Sequence, residues 1–473
     1  MHSPSPPTAM NRHSILPLLV LAIAFSVQCL NAEARPSGAA RGNESNETPP
    51  GDASTASTIQ TAAAAAEPYK TSTLFTTPSI IAKANSFKIW VYNGNVYTVY
   101  ALPADASGNK TSQRMMVAKI PLSGSGAVTH PLVAGSDPTV RGYYISANNH
   151  KTWEIAVDRA GYIHVSGDMH SHMDQGYWRS KNPEDVSSFT QIEWEDKPAG
   201  TPLRCPISRS TTFPHFWRDR KGQLFWSAQQ SSNFLPFCSY DETTKLWTSL
   251  GGPKPIKGGE ICLAWTKAKA HSSSTEKGGF TASSFAPVWD SNNRLHMVIG
   301  MLDKDTHGPH PLGIGTDIIY AYSDDGGKTA HRADGTPIQY PIRASSGPSA
   351  NRGDIILEEM QDDPNYKWLN RNAGISLDKA DRPMISVESY TTGRHYFRLE
   401  SGKWVEHPGG KGLEARAPDP SHIIDTLHLP VWNNRYDRNC YRDTGELVWV
   451  SLDGYRAKAT YTVHRTVFDG VKK

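Results

Sequence analysis

Two histidines, His150 and His170, stand at the ends of a segment whose pattern brings them together. Trp153, Ile155 and Val157 alternate with polar or small neighbours, Asp158-Arg159-Ala160-Gly161 supplies turn chemistry, and Tyr162, Ile163 and Val165 resume the alternation. The segment reads as a β-hairpin. With Asp158 and Gly161 closing the loop, paired positions sum to 319, which sets His150 within one position of facing His170 at the open end. Imidazole titrates near neutrality, so two of them on one sheet rim can take and return protons. The competing reading is structural, because the chain has 18 histidines and chance alone puts some near each other. His164 within the strand and His172 beyond it are assigned to packing or surface.

The elements that must position this pair follow from composition. Among 473 residues there are 13 Trp, 19 Tyr and 13 Phe beside 38 Gly and 33 Pro, which suits many short aromatic-rich strands joined by tight turns. A formal charge of +3 supplies neither a nucleic-acid stripe nor a basic membrane face. Arg12 and His13 precede the apolar run Ile15 to Val27, and Ala32-Glu33-Ala34 offers a cleavage site. Residues 1–34 are therefore expected to be a signal peptide, the protein secreted or periplasmic, with no membrane attachment once the signal is removed. Residues 35–67, rich in Ala, Ser, Thr and Pro, are expected to be a disordered linker, and 68–473 one catalytic domain, monomeric. Cys205, Cys238, Cys262 and Cys440 allow one or two disulfides, and no short zinc-type spacing occurs among them.

The turn at Asp158 recurs before Leu224, Leu295, Pro383 and Leu447, and a related one precedes Val96. Ser323-Asp324-Asp325-Gly326-Gly327-Lys328-Thr329 is close to an Asp-box, in which the Asp side chain bonds amides of its own turn. Roughly 400 ordered residues at about 60 per four-stranded blade predict an all-β, seven-bladed β-propeller. A barrel or sandwich is the alternative. The same offset from each turn places Thr211, Thr212 and Phe213 opposite Ala228, Gln229 and Gln230. It also places Asn370 and Arg371 opposite Glu388, Ser389 and Tyr390, where Arg371 and Glu388 read equally well as a cross-strand ion pair.

His150, His170 and the run Trp178-Arg179-Ser180-Lys181-Asn182-Pro183-Glu184-Asp185-Val186-Ser187-Ser188-Phe189 resemble the BNR-repeat propellers that include secreted polysaccharide lyases. Among these are ulvan lyases and the lyases that release rhamnose from rhamnosyl-α-1,4-glucuronate caps. The resemblance implies proton-transfer roles for His150 and His170 and a uronate-containing polysaccharide as partner. Ulvan lyases carry a Tyr in a Thr-Tyr-Pro segment and an Arg on the partner strand; here Phe213 and Gln229 or Gln230 stand instead, which favours the rhamnosyl-glucuronate type.

β-Elimination at a 4-linked uronate needs a group that neutralises the carboxylate, a base for the C5 proton and an acid for the O4 leaving group. Arg209, with Gln229 in support, is the first candidate for neutralisation; Arg371 and His215 compete with it, and Tyr390 is a further polar candidate. No cofactor is required. His150, His170, His172 and Asp168 carry metal-ligating atoms without defining a site, and calcium is the structural ion that the resemblance implies. Three other readings are an ulvan lyase, a propeller α-L-rhamnosidase and a non-catalytic carbohydrate-binding propeller. In the last, Trp153, Trp178 and Trp226 either stack on sugars or pack the blades.

Overall fold

The structure, a computed structural model, describes residues 69–81, 89–103, 113–135, 152–168, 176–195, 197–206, 211–230, 234–253, 261–265, 279–302, 317–343, 348–357, 369–378, 380–389, 393–410, 441–442, 446–453 and 456–468. All belong to the second of two units, Ala66–Lys473; the signal and linker expectations lie outside the described residues.

Among the described residues there is no α-helix, and six antiparallel sheets of four or more strands follow one another. The first holds Ile89–Tyr92, Asn95–Pro103, Gln113–Pro121 and Val128–Pro131; the second, Trp153–Val157, Ile163–Gly167, Gly176–Ser180 and Phe189–Gln191. Thr211–Arg218, Leu224–Gln230, Phe237–Asp241 and Leu246–Ser249 form the third. The fourth is built on Gly279–Trp289, Leu295–Leu302 and Asp317–Ser323, and the fifth on Leu369–Leu377, Pro383–Ser389, Gly393–Glu400 and Lys403–Glu406. In the sixth, Tyr69–Ile81 from the start of the unit pairs with Arg456–Phe468 from its end. The leading strands of successive sheets touch in turn, Ile89–Tyr92 against Trp153–Val157, then Thr211–Arg218, then Gly279–Trp289, then Leu369–Leu377. Sheets that meet along their first strands radiate from a common axis, which is the propeller arrangement.

Four turns are copies of one another. Asp158, Asp219, Asp290 and Asp378 each accept, through Oδ1, the amide of the residue four positions on, at 2.8, 2.7, 2.8 and 2.9 Å. The fourth residue of each turn takes a left-handed backbone: Gly161 (φ 87°), Gly222 (83°), Asn293 (66°) and Asp381 (60°). Only glycine or a short side chain that tolerates this region occurs there. The Asp-box closes as its motif requires, with Asp325 Oδ1 accepting the Thr329 amide at 2.9 Å and Ser323 Oγ accepting the Gly327 amide at 2.8 Å. Asp325→Ala is expected to lower the unfolding free energy by about 1–2 kcal/mol, read by denaturant titration.

The core explains two groups of residues that could have served chemistry. Trp153 and Trp178 stack with ring centroids 5.3 Å apart, and with Trp226 they are almost wholly buried, so these three indoles pack blades and do not offer a sugar platform. Their room comes from glycine. A Cβ on Gly167 would lie 2.4 Å from the Trp153 ring, and one on Gly176 would lie 2.3 Å from the Gly167 carbonyl. Gly167→Ala is expected to cost about 1–3 kcal/mol of stability, measurable as a lowered denaturant midpoint.

His164, fully buried, is the packing residue expected from the sequence. The Asp158 carboxylate accepts from its Nε2–H at 3.1 Å, and its Nδ1 then accepts the Tyr177 hydroxyl at 2.7 Å. A looser version occurs around His296, whose Nδ1 bonds Tyr320 at 2.7 Å while its Nε2 lies 3.6 Å from the Asp290 carboxylate. Burial holds the His164 pKa below the ordinary histidine value, against the opposing pull of Asp158.

Three sequence expectations need correction. The pairs Trp153 with Gly167 and Val157 with Ile163 sum to 320, one more than expected, because Tyr162 also belongs to the loop: its carbonyl accepts the Asp158 amide. Arg371 falls within a register irregularity between Leu369 and Ala373, and Glu388 is paired along its other edge with Arg394, so the simple Arg371–Glu388 register does not hold. Cys205, Cys238 and Cys262 are buried thiols that form no disulfide with one another; Cys440 lies outside the described residues.

Candidate active site

Every strand in the second sheet's central hairpin is buried along its whole length, including the leading strand Trp153–Val157. That strand carries a carboxylate at its second position. Glu154 is 2% exposed, and its Oε1 lies 3.0 Å from Nδ1 of His215, on the leading strand of the next sheet. A carboxylate and an imidazole therefore bridge two inner strands beside the propeller axis. The Glu154 side chain is the more deeply enclosed; His215 keeps 11% of its side-chain surface.

The local backbone explains how His215 arrives there. Thr211 and Thr212 pair with Gln230 and Gln229 as expected, but Pro214 pairs with Ala228 and His215 with Ser227. Phe213 is the extra residue, a bulge with φ 55°. A bulge re-aims the residues that follow it, and an aromatic residue in the left-handed region is rare enough to mark a constrained place. Asp168, buried just past the end of Ile163–Gly167, also has φ 55°. Strained positions of this kind collect at functional sites. Trp217 donates its indole N–H to Ser227 Oγ at 2.8 Å and lies against the His215 ring, with centroids 5.6 Å apart. The imidazole is thus held by Glu154 on one side and an anchored indole on another.

Of the residues proposed from sequence, His215 is the one whose side chain is described. Gln229 and Arg371 are placed by backbone alone, Gln229 opposite Thr212 and Arg371 in the irregular stretch of Leu369–Leu377. His150, His170, Arg209 and Tyr390, together with His172, lie outside the described residues. Sequence reasoning missed Glu154. Its signal was a charged residue in a strand whose other positions, Trp153, Ile155, Ala156 and Val157, are all apolar. Among the described residues no cluster of three or more His, Cys, Asp or Glu is arranged to hold a metal ion.

A cleft of about 940 Å3 lies at the turn end of the sheets, lined by Arg159, Lys221, Glu242, Asn293 and Asp324 among others. Its carboxylates are already engaged. Asp219 holds its own turn and the Asn293 amide, and Glu242 is paired with Arg159 at 2.9 Å. The Glu154–His215 pair lies on the inner strands and does not line this cleft.

No curated protein matches the sequence. The fold is shared with three solved structures of polysaccharide lyases. One described as PL25-Ulvanlyase has 12% identity over 82% of this chain and 85% of its own, with a TM-score of 0.50. The same lyase bound to -[GlcA(1-4)Rha3S]- gives 0.51 at the same identity and coverage. The polysaccharide lyase Uly1 gives 0.51, with 13% identity over 82% of this chain and 91% of its own. Residues 95–410 match the model of the BNR repeat-containing family, and with that stretch covering well over half of the sequence, the chain belongs to the BNR repeat-containing family.

Proposed function

We propose that this protein is a secreted polysaccharide lyase, a seven-bladed propeller over residues 68–473, that cleaves a 4-linked uronate by β-elimination and releases rhamnose from rhamnosyl-α-1,4-glucuronate caps. The observation that carries the reading is membership of the BNR repeat-containing family, and the fold shared with polysaccharide lyases supports it.

In this mechanism His150 and His170 share proton transfer. One imidazole takes the C5 proton; the electron pair of that bond forms the C4–C5 double bond as the C4–O4 bond breaks, and the departing oxygen is protonated. Arg209 neutralises the uronate carboxylate, with Gln229 in support and Arg371 and Tyr390 as further contacts, which lowers the cost of the enolate-like intermediate. The reaction itself needs no cofactor; a calcium ion, if bound, is structural. The enzyme acts as a monomer on its polysaccharide, in the periplasm or outside the cell.

An ulvan lyase is the second reading, favoured by one observation: the fold is shared with an ulvan lyase bound to a glucuronate-rhamnose sulfate oligosaccharide. Against it, Phe213 stands in the bulge with no proton to give, and the partner strand offers Gln229 there. Incubating the protein with gum arabic and with ulvan separates the two. Free rhamnose together with ultraviolet absorbance on gum arabic is expected, and absorbance on ulvan alone would replace the first reading by the second.

A further inference from the structure

The Glu154–His215 pair is a buried hydrogen bond between inner strands of neighbouring sheets, with the carboxylate enclosed and the imidazole edge left at the surface. A cross-sheet staple needs no such order. Burying an ionisable pair carries a large desolvation cost, and an apolar pair of similar volume often packs as well or better. The ring is also held more firmly than packing requires, by the Glu154 carboxylate at Nδ1 and by Trp217, itself anchored to Ser227.

We infer that Glu154 is a positioning residue for His215, and that His215 is the general acid that protonates the departing O4 oxygen. With Nδ1–H donated to the Glu154 carboxylate, the other ring nitrogen, Nε2, is the one that exchanges protons with the substrate. The buried carboxylate favours the imidazolium, the form in which Nε2 carries the proton that the leaving oxygen takes. As the C4–O4 bond breaks, its electron pair stays on O4 and takes the Nε2 proton. The C5 proton goes to the separate base, and the C5–H electron pair becomes the double bond. The neutral His215, still donating Nδ1–H to Glu154, is then reprotonated at Nε2 from water. This assignment rests on the lyase reading and divides its proton transfer, with the C5 proton taken by the His150 and His170 pair and the leaving oxygen protonated by His215.

The strand of His215 itself carries Arg218, and Asp168 follows Ile163–Gly167, a strand packed against it. Trp153–Val157 brings Glu154, while Leu224–Gln230 and Gly279–Trp289 bring no ionisable side chain. Ile163–Gly167 brings His164, which lies against Phe216, the neighbour of His215.

The test uses the whole mature protein and three variants: Glu154→Gln, which keeps shape and a hydrogen-bond acceptor but removes the charge, Glu154→Asp, which keeps the charge, and His215→Gln. Histidine-selective nitrogen NMR reads the protonation midpoint and tautomer of His215. A fall of at least about one pH unit in Glu154→Gln, with partial recovery in Glu154→Asp, is expected; an unchanged midpoint would overturn the positioning role. Kinetics then compare a uronate polysaccharide with a glucuronate bearing 4-nitrophenolate at C4, a leaving group that departs without a proton. Glu154→Gln and His215→Gln are expected to lose about 10- to 1,000-fold in kcat on the polysaccharide and little on the activated substrate. Equal losses on both would overturn the general-acid role. If the unmodified protein eliminates neither substrate, the lyase reading itself fails, and with it the acid role, while the NMR measurement still decides whether Glu154 orients the ring.

Discussion

Replacing His150 and His170 together with alanine is expected to abolish uronate elimination, with kcat falling at least about a thousandfold and sugar affinity changing far less. Proton transfer by a positioned side chain contributes about 10²- to 10⁴-fold to a rate, and the two histidines act as one unit, so each single change should cost nearly as much as the double. The motivating observation is the hairpin Trp153–Gly167, on either side of which the two histidines stand in the sequence. Initial rates from ultraviolet absorbance, alongside isothermal titration with an unsaturated product, separate catalysis from binding. Activity that survived the double change would remove these histidines from the mechanism, and binding lost in parallel with activity would make them a recognition site. A circular dichroism melt guards against the trivial outcome of unfolding.

The largest expected effect on stability is at Asp158. Its Oδ1 holds the turn through the Tyr162 amide, while its Oδ2 accepts from His164 inside the core. Asp158→Ala removes the turn bond and leaves a buried imidazole nitrogen without its acceptor, and should cost about 3–5 kcal/mol of unfolding free energy. Asp219→Ala is the control, because its side chain serves the turn and Asn293 but no core histidine, and a cost of about 1–2 kcal/mol is expected there. Denaturant titration reads both. Equal losses would show that the Asp158–His164 contact adds nothing beyond the turn.

The same histidine makes stability depend on pH. Burial lowers the His164 pKa in the fold, and burial lowers that of His464, stacked on Trp449, to about 4. A histidine whose folded pKa is depressed favours folding fully above its unfolded pKa, near 6.5. Below that value the unfolded chain takes up a proton that the fold refuses, so stability falls as the pH drops from about 6.5 towards the folded pKa. The slope is about 1.4 kcal/mol per pH unit for each proton involved. Replacing His464 with phenylalanine, which retains the stack on Trp449, should flatten that loss between about pH 6 and pH 4 in melts run across this range.

Local chemistry was legible in the sequence. The turn aspartates bond amides only four residues away, so a repeated Asp with a glycine, Asn or Asp three positions on is enough to find them, and the Asp-box follows the same logic. His164 was legible as packing for a similar reason, sitting in a strand six residues past the aspartate that opens its own turn. What failed depended on contacts between sheets or on backbone irregularity. Glu154 looked like the outward member of an alternating strand, but a leading strand of a propeller is covered on both faces, and its partner lies 61 residues away on another sheet. The bulge at Phe213 has no sequence signal, because phenylalanine has no preference for a left-handed backbone, and it shifts every later pair on that hairpin by one. The pairing of Tyr69–Ile81 with Arg456–Phe468 joins segments from opposite ends of the unit, beyond the reach of any local pattern.

The central claim is elimination at a uronate, and the most direct measurement follows the ultraviolet absorbance and the mass of the oligosaccharide products from gum arabic. Absorbance should rise in step with free rhamnose, and the new uronate end should be one water lighter than a hydrolysis product. Rhamnose released without absorbance, with the glucuronate end at the full mass of a hydrolysis product, would show a hydrolase and contradict the account.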